Sequence, residues 1–409
     1  MKTIYFDHSA TTPLDKKTLK AMMPFLTGKF GNAASLHSYG QEAMAAVDKA
    51  REQTAAFLNC APEEIIFTSG STESNNLAVK GFMKGWQKKF GFVPHIITTL
   101  IEHKAILEPF LELEREGVRV TYLPVKANGV VDVEVFKKAV KDNTVFVSVM
   151  YVNSEVGSVQ PIREIGKVIR KINETKLKDW KKLSAAARGD KPHEIVFHTD
   201  ATQALNFFNC DVKWNYIDML SLSAHKIYGP KGVGALFVRK GVAIRAAQVG
   251  GGQEGNRRSG TLNVPGIVGL GEAASQLTPK NVEKNNKKIA ALRDYLVAGV
   301  MKKIDNAVLN TDRNQAAPSH AHFSFLGVEG ESILIALDLA GIAVSTGSAC
   351  ASGSLKPSHV LLAMGIKQEV AHNSIRFTLG KKTKREELDK VIKILPGIVK
   401  KFRNMAPDY

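Results

Sequence analysis

The sequence predicts an α/β fold: a mostly parallel, seven-stranded sheet covered by helices, joined to a smaller α+β domain. Three observations carry this. Seven short apolar runs rich in Val, Ile or Phe, each bounded by turn residues, recur between residues 65 and 239. Amphipathic helical stretches alternate with them, as in a sheet coated by helices. A Gly-rich break, GGGQEGNRRSGTLNVPGIVG at 250–269, then reads as a loop between domains and separates this pattern from the C-terminal part.

In chain order the predicted strands are IIFT (65–68), HIITT (95–99), RVTYLPV (119–125), TVFVSVMYV (144–152), EIVFHTD (194–200), YIDMLSLSA (216–224) and GVGALFVR (232–239). Helical patterns fall at 39–58, 103–116 and 161–173. Beyond the break come a helix at about 281–303, a strand-like AHFSFLG, and helices at 330–340 and 384–403. The expected division is a large domain over 15–260 and a small one made of 1–14 with 261–409. Residues 171–194, KINETKLKDWKKLSAAARGDKPHE, look inserted, because they exceed what α/β connections need. They carry seven Lys/Arg against four Asp/Glu and read as a solvated helical extension.

Composition narrows the class further. With 409 residues, 44% hydrophobic and 23% charged, the chain has ample core for two or three domains without metal or disulfide staples, which excludes disordered, collagenous and disulfide-scaffold classes. Cys60, Cys210 and Cys350 are an odd number with no CxxC pair, so a disulfide framework or closed zinc site is not expected. No apolar leader or membrane-length run is present, and the expected location is the cytoplasm. The formal charge of +17 would attract acidic partners, nucleic acid among them.

Three strand ends could carry chemistry. After IIFT, the turn SGST opens a helix, and the backbone N–H groups of Ser71 and Thr72 with their hydroxyls would suit a phosphate; the same residues also read as a plain N-cap. EIVFHTD ends on Asp200, which points into a crevice at the carboxyl end of the sheet or merely caps the next helix. MLSLSAHKIYGPKGVG ends on Ser223, His225 and Lys226. A lysine at the end of a buried strand is costly unless it is paired, deprotonated or covalently used, as a Schiff-base lysine is. Phosphate cradle, strand-end acid and strand-end lysine together are what a pyridoxal phosphate enzyme needs.

The ordered set DHSATTPLD, GNAASLHS, TSGSTESNN, EHKA, HTDATQA, SAHKIYGPKGVGAL, GGGQEGNRRSGTLNVPGIVG, STGSACASGSLKPSHVL and SIRFTLG resembles the cysteine desulfurases, the class V branch of fold-type I pyridoxal phosphate enzymes. The resemblance runs from about residue 3 to 390 and implies a homodimer with active sites at the subunit interface. It implies covalent attachment of pyridoxal 5'-phosphate to Lys226, Asp200 on the pyridinium nitrogen, Gln203 on the phenolate oxygen and His103 stacked on the ring. Ser71, Thr72, Ser223 and His225 would hold the phosphate, with Thr261 reaching in from the other subunit. Arg376 would take the substrate carboxylate, for which its planar fork is suited, with Asn32 assisting. The alternative for Arg376 is a surface ion pair.

Cys350 lies among small residues that cannot pack a core, on a loop at about 343–356, and the SGSAC pattern resembles that of the desulfurase nucleophile; Cys60 and Cys210 read as small buried hydrophobes. The long Ser/Gly-rich loop resembles the group that serves iron–sulfur assembly or tRNA thiolation. The implied reaction turns L-cysteine into L-alanine, with His103 as acid–base helper near the thiol and the sulfur held as a persulfide on Cys350 for an iron–sulfur scaffold or other acceptor. Cys350 is also a candidate transient cluster ligand; no resident metal is expected, and nucleic acid is not expected to bind directly. Ser154 stands where the family usually has asparagine, so a contact near the phenolate oxygen is weakened or passes to Asn153. A selenocysteine lyase and a class V aminotransferase share the scaffold and are the rival activities.

Overall fold

A computed structural model describes residues 3–87, 93–184, 189–190, 192–346 and 357–405. The chain begins with β1 (Ile4–Tyr5) and then supplies β2 (Ile65–Thr68), β3 (His95–Thr99), β4 (Arg119–Leu123), β5 (Thr144–Ser148), β6 (Val196–Asp200), β7 (Met219–Ser223) and β8 (Gly234–Val238). β2 to β8 form the seven-stranded sheet, in the order β2-β8-β7-β6-β5-β3-β4. Pairs β3–β4, β3–β5, β5–β6 and β6–β7 are parallel, and only β8 runs against its neighbours β2 and β7. The ten residues between β7 and β8 explain the exception, since a parallel return needs a crossover of a dozen residues or more.

Successive side chains of a strand point to opposite faces, and here both faces are covered. Val147, Phe197 and Leu220 enter one core, with Val47, Leu58, Ile267 and Leu270 from the helices above them. Their neighbours Phe146, Val196 and Met219 enter the other, with Phe82, Ile106 and Phe110. This double burial is why the strands read as apolar runs rather than as alternating patterns.

The helix Ser38–Leu58 ends on Asn59 in the left-handed conformation (φ 54°), a common stop. Helix Ile162–Lys182 carries the expected pattern at 161–173 on into the insertion as far as Lys182, with an exposed final turn, so the described part of that stretch is a solvated extension.

The Gly-rich break behaves as a loop only up to Asn263. Residues Val264–Ser275 are helical, started by the Asn263 side chain accepting from Gly266 N and by Pro265 in the first turn. Its glycines are there for close packing: a Cβ on Gly271 would come 2.6 Å from Ala50 Cα. This helix lies on the C-terminal side of the expected boundary at 260, yet it fills the core of the central sheet.

A second core follows. The strands β9 (Ala307–Leu309), β10 (His320–Phe325) and β12 (Ser374–Thr378) make an antiparallel sheet in the order β12-β10-β9, and β11 (Ile342–Ala343) pairs with β1. The helices Pro279–Lys303 and Arg385–Met405 pack on it through Leu296, Leu388 and Leu395, and Phe6 of the N-terminal segment joins Phe323 and Phe377 in the same cluster. The N-terminal residues are thus bound to the C-terminal sheet before the chain crosses to the large one. Among the described residues no helix is long and apolar enough to cross a membrane.

Candidate active site

The carboxyl ends of β2, β6 and β7 meet at one place. Asp200 closes β6 with 7% of its surface exposed; its Oδ2 accepts from Asn75 Nδ2 at 2.7 Å and its Oδ1 from the Thr202 backbone N–H at 3.0 Å. Asn75 belongs to the helix that starts at Ser71 just after β2, so the acid is fastened to the very helix read as a phosphate cradle.

That turn is built for close approach. Gly70 caps the helix at φ 155°, ψ 179°, a glycine conformation, and a Cβ on Gly234 of β8 would stand 2.7 Å from Gly70 Cα. Ser223 Oγ lies 3.7 Å from where a Gly70 Cβ would be, which brings this hydroxyl to the helix start. Glu73 locks the turn by accepting from Ser69 N at 2.6 Å and pairing with Arg258 at 2.7 Å. The first N–H groups of a helix have no partner within it, and they carry its positive end.

Lys226 follows β7 in a short 3-10 turn. Its Nζ donates to the carbonyls of Ser9 at 2.5 Å and Ala10 at 2.7 Å, and Gln203 Nε2 donates to the same Ser9 oxygen at 2.8 Å. His225 holds Thr11 Oγ1 with Nδ1 at 3.1 Å; burial, then Lys226 and Lys231, push its pKa down to about 4, so the ring is neutral. The segment 9–11 is therefore a strap over the lysine.

The strap continues to Arg376 on β12, which is 5% exposed. Ser9 Oγ donates to the Ser154 carbonyl at 2.7 Å, and that carbonyl also accepts from Arg376 Nη1 at 2.8 Å. Arg376 Nη2 pairs with Asp7 Oδ1 at 2.7 Å, while among the described residues its buried Nε has no hydrogen-bond partner. Beside it on β10, His320 and His322 are pushed down to about 3, by burial first and by the Arg376 charge second.

His103 caps the helix Lys104–Arg115, its Nδ1 accepting from Ala105 N at 3.1 Å. That bond occupies the Nδ1 lone pair and leaves the exchangeable proton to Nε2. A cavity of about 320 Å³ brings His103 and Thr72 together. Its neighbour Glu102 is fully buried: Oε1 accepts from Met150 N at 2.7 Å and Thr99 Oγ1 at 2.9 Å, and burial pushes its pKa up to about 8.

Of the sequence-predicted residues, Ser71, Thr72, Ser223, Asp200, Gln203, His225, Lys226, Ser154 and Arg376 are thus tied into one connected region. Asn153 is used up locally: its Nδ2 donates to the Ile101 carbonyl and its Oδ1 accepts from Glu155 N and Val156 N, so it does not take over a neighbour's contact. Asn32 lines a separate cavity of about 850 Å³ beside Arg51, Glu254 and Leu262, and Thr261 is exposed. Cys350 lies outside the described residues. Cys210 is buried and Cys60 half-buried, and burial pushes both thiols up to about 12, which leaves them inert at neutral pH. Sequence reasoning missed Asp7, Ser9, Asn75 and Glu102. The string DHSATT was visible, but nothing in it names partners more than 190 residues away.

The donor set fits pyridoxal phosphate: a buried carboxylate for the pyridine nitrogen, an amine for the aldehyde, an amide donor beside it, and a helix start with Ser223 for the phosphate.

The model of the aminotransferase class-V family matches residues 4–179 and 175–391, two stretches that meet inside the 171–194 extension. The cysteine desulfurase IscS of Dictyoglomus turgidum is 45% identical over 406 residues, covering 99% of this chain and 97% of that protein. IscS of Clostridium botulinum is 46% identical over 408 residues, covering 99% and 96%. Among solved structures, a NifS-like protein superposes with a TM-score of 0.86 at 36% identity, covering 97% of this chain and 99% of its own. SspA in complex with cysteine follows at 0.77 and 34%, covering 92% and 99%.

Proposed function

The chain belongs to the aminotransferase class-V family, and from that premise we propose that it is a pyridoxal phosphate-dependent cysteine desulfurase, converting L-cysteine to L-alanine and handing the sulfur to an acceptor by way of Cys350. The observation that carries this reading is the convergence of Lys226, Gln203 and Arg376 on residues 7–10: the amine and the carboxylate-binding cation share one strap.

The cofactor, when bound, supplies an electron sink for the bonds at the substrate Cα. Asp200 holds the proton of the pyridine nitrogen, itself held by Asn75 and Thr202. Arg376 orients the substrate by its carboxylate. Lys226 Nζ takes the Cα proton, and the Ser9 and Ala10 carbonyls favour the resulting ammonium. His103 moves a proton at Nε2 for the thiol of Cys350, since a free thiol, with a pKa of about 8.5, is only a few per cent ionised at neutral pH without such help. The Cys350 thiolate attacks the substrate sulfur: an S–S bond forms, the Cβ–S bond breaks, and its electron pair stays with the three-carbon product, which is protonated to alanine. Chain connectivity supports this role, because Ser345 exchanges backbone hydrogen bonds with Arg376 and Cys350 follows five residues on, within about 17 Å at full extension.

A homodimer fits the surface. Phe30, Leu36 and Val249 are 74%, 91% and 83% exposed and would be available to a second copy, whose phosphate Thr261 would reach. The acceptor is an iron–sulfur scaffold or tRNA-thiolating protein, met in the cytoplasm. Its acidic face would meet the packed helices Pro279–Lys303 and Arg385–Met405, which carry much of the basic excess.

The test is Cys350→Ala, with sulfide and alanine measured on L-cysteine beside the cofactor's absorbance, and L-selenocysteine run in parallel. Lost sulfide release with intact absorbance is expected. Normal turnover by the variant sinks the assignment, and a large preference for selenocysteine turns it into a lyase of that substrate.

A further inference from the structure

Arg376 is already engaged by the protein's own groups. A carboxylate binds a guanidinium best through two adjacent N–H groups, and each edge of the fork that offers two includes Nη2. On Arg376 that nitrogen donates to Asp7 Oδ1 at 2.7 Å, Nη1 donates to the Ser154 carbonyl at 2.8 Å, and the buried Nε has no partner among the described residues. Two of the guanidinium's five N–H groups thus have partners; among the described residues the buried Nε–H has none, and Nη2, which either bidentate edge needs, already carries a carboxylate of the protein itself on one of its two N–H groups.

Asp7 is well fixed in this place. Its backbone bridges to Thr378 on the strand that carries Arg376, and its carbonyl accepts from Tyr5 Oη at 2.9 Å. Arg376 needs a counter-ion, because a cation 5% exposed and left unpaired is strongly unfavourable. Among the described residues its other partners supply none: His320 and His322 are neutral, and Ser154 offers only a carbonyl dipole.

We propose that Asp7 is the resident counter-ion of the substrate-carboxylate site, competing with the amino-acid carboxylate for Arg376 and so setting how tightly L-cysteine and L-alanine bind. This rests on the reading of Arg376 as the carboxylate-binding residue. The exchange costs no net charge at the guanidinium, since one carboxylate replaces or shares with another. It keeps the buried cation neutralised between turnovers, and it keeps the product from being held as firmly as an uncompensated arginine would hold it.

The test is Asp7→Asn in the holoenzyme, with Arg376→Gln beside it. Asparagine keeps an acceptor for Nη2 and removes the charge. The KM for L-cysteine and the inhibition constant of L-alanine should both fall about tenfold, the scale of one charge-assisted hydrogen bond. L-alanine should also raise the melting temperature of the variant more than that of the parent. If Asp7→Asn does not fold alone, a counter-ion role expects sodium formate to restore its melting transition. An unchanged or raised KM, or a variant that formate does not rescue, overturns the proposal. Arg376→Gln separates the two claims: a KM that does not rise shows that Arg376 is not the carboxylate residue, whereas a raised KM there with no fall in Asp7→Asn removes only the counter-ion.

Discussion

The carboxyl ends of β3 and β6 bury the acids Glu102 and Asp200, the middle of β12 buries a base, and the two regions use the same device with opposite sign. At the first, Asp200 is held by neutral donors, Asn75 and Thr202, and the nearby Glu102 is kept protonated with its pKa pushed up to about 8. At the second, Arg376 is the cation, and His320 and His322 beside it are kept neutral with their pKa values pushed down to about 3. Each region retains one charge and discharges its neighbours by burial. The difference is in the partner: Arg376 has Asp7, whereas among the described residues Asp200 has no cationic partner in its hydrogen bonds. On the proposed function the acid end would meet a cation, the protonated pyridine nitrogen, and the basic end an anion, the substrate carboxylate.

Asp200→Asn tests the acid end and should have the largest effect. With the negative charge gone, nothing holds the ring proton, and kcat should fall by about 10³-fold, the cost of losing electrostatic support for developing charge. The amide keeps the bonds to Asn75 and Thr202 in part, so the variant should still fold and bind cofactor. A kcat within tenfold of the parent would break the comparison at this end.

Arg376→Lys tests the basic end and should do less. It keeps the charge near Asp7 but loses the fork, so KM for L-cysteine should rise about tenfold with a smaller change in kcat. Equal loss in both constants would mean that Arg376 serves the chemistry rather than binding.

The sequence makes the acid end more legible than the basic end. Strand runs and the turn after each one placed Asp200, Lys226 and Ser71 at strand ends, because a parallel sheet leaves its ligands there. Burial on both faces gave the strands a simple apolar signature. The basic end depends on pairings across the whole chain: Asp7 and Arg376 are 369 residues apart, and Ser9 meets Lys226 across 217. No local pattern encodes such distances. Glu102 was in view in EHKA, yet its burial depends on the approach of β3 and β5, which periodicity does not report. The helix Val264–Ser275 was hidden by its own glycines, which read as a break but serve close packing against Ala50.

The smallest effects are in pH, and there the two regions pull apart. Glu102 has a folded pKa raised from 4.5 to about 8, so its stabilising contribution is full below pH 4.5 and is lost as pH rises through 8. His320 and His322 are lowered from 6.5 to about 3, so theirs is full above pH 6.5 and is lost as pH falls through 3. Each group tilts the stability curve by up to about 1.4 kcal/mol per pH unit inside its window. Glu102→Gln replaces a neutral acid by a neutral amide of the same shape, so turnover at pH 7 should stay within about twofold. Its urea midpoint should decline less than the parent's between pH 5.5 and 8. His322→Asn, which can still accept from Asn310, should instead flatten the decline between pH 6.5 and 4 and leave the alkaline side alone. Variants that moved the same limb of the curve would show that the two ends are one electrostatic unit rather than two opposed ones.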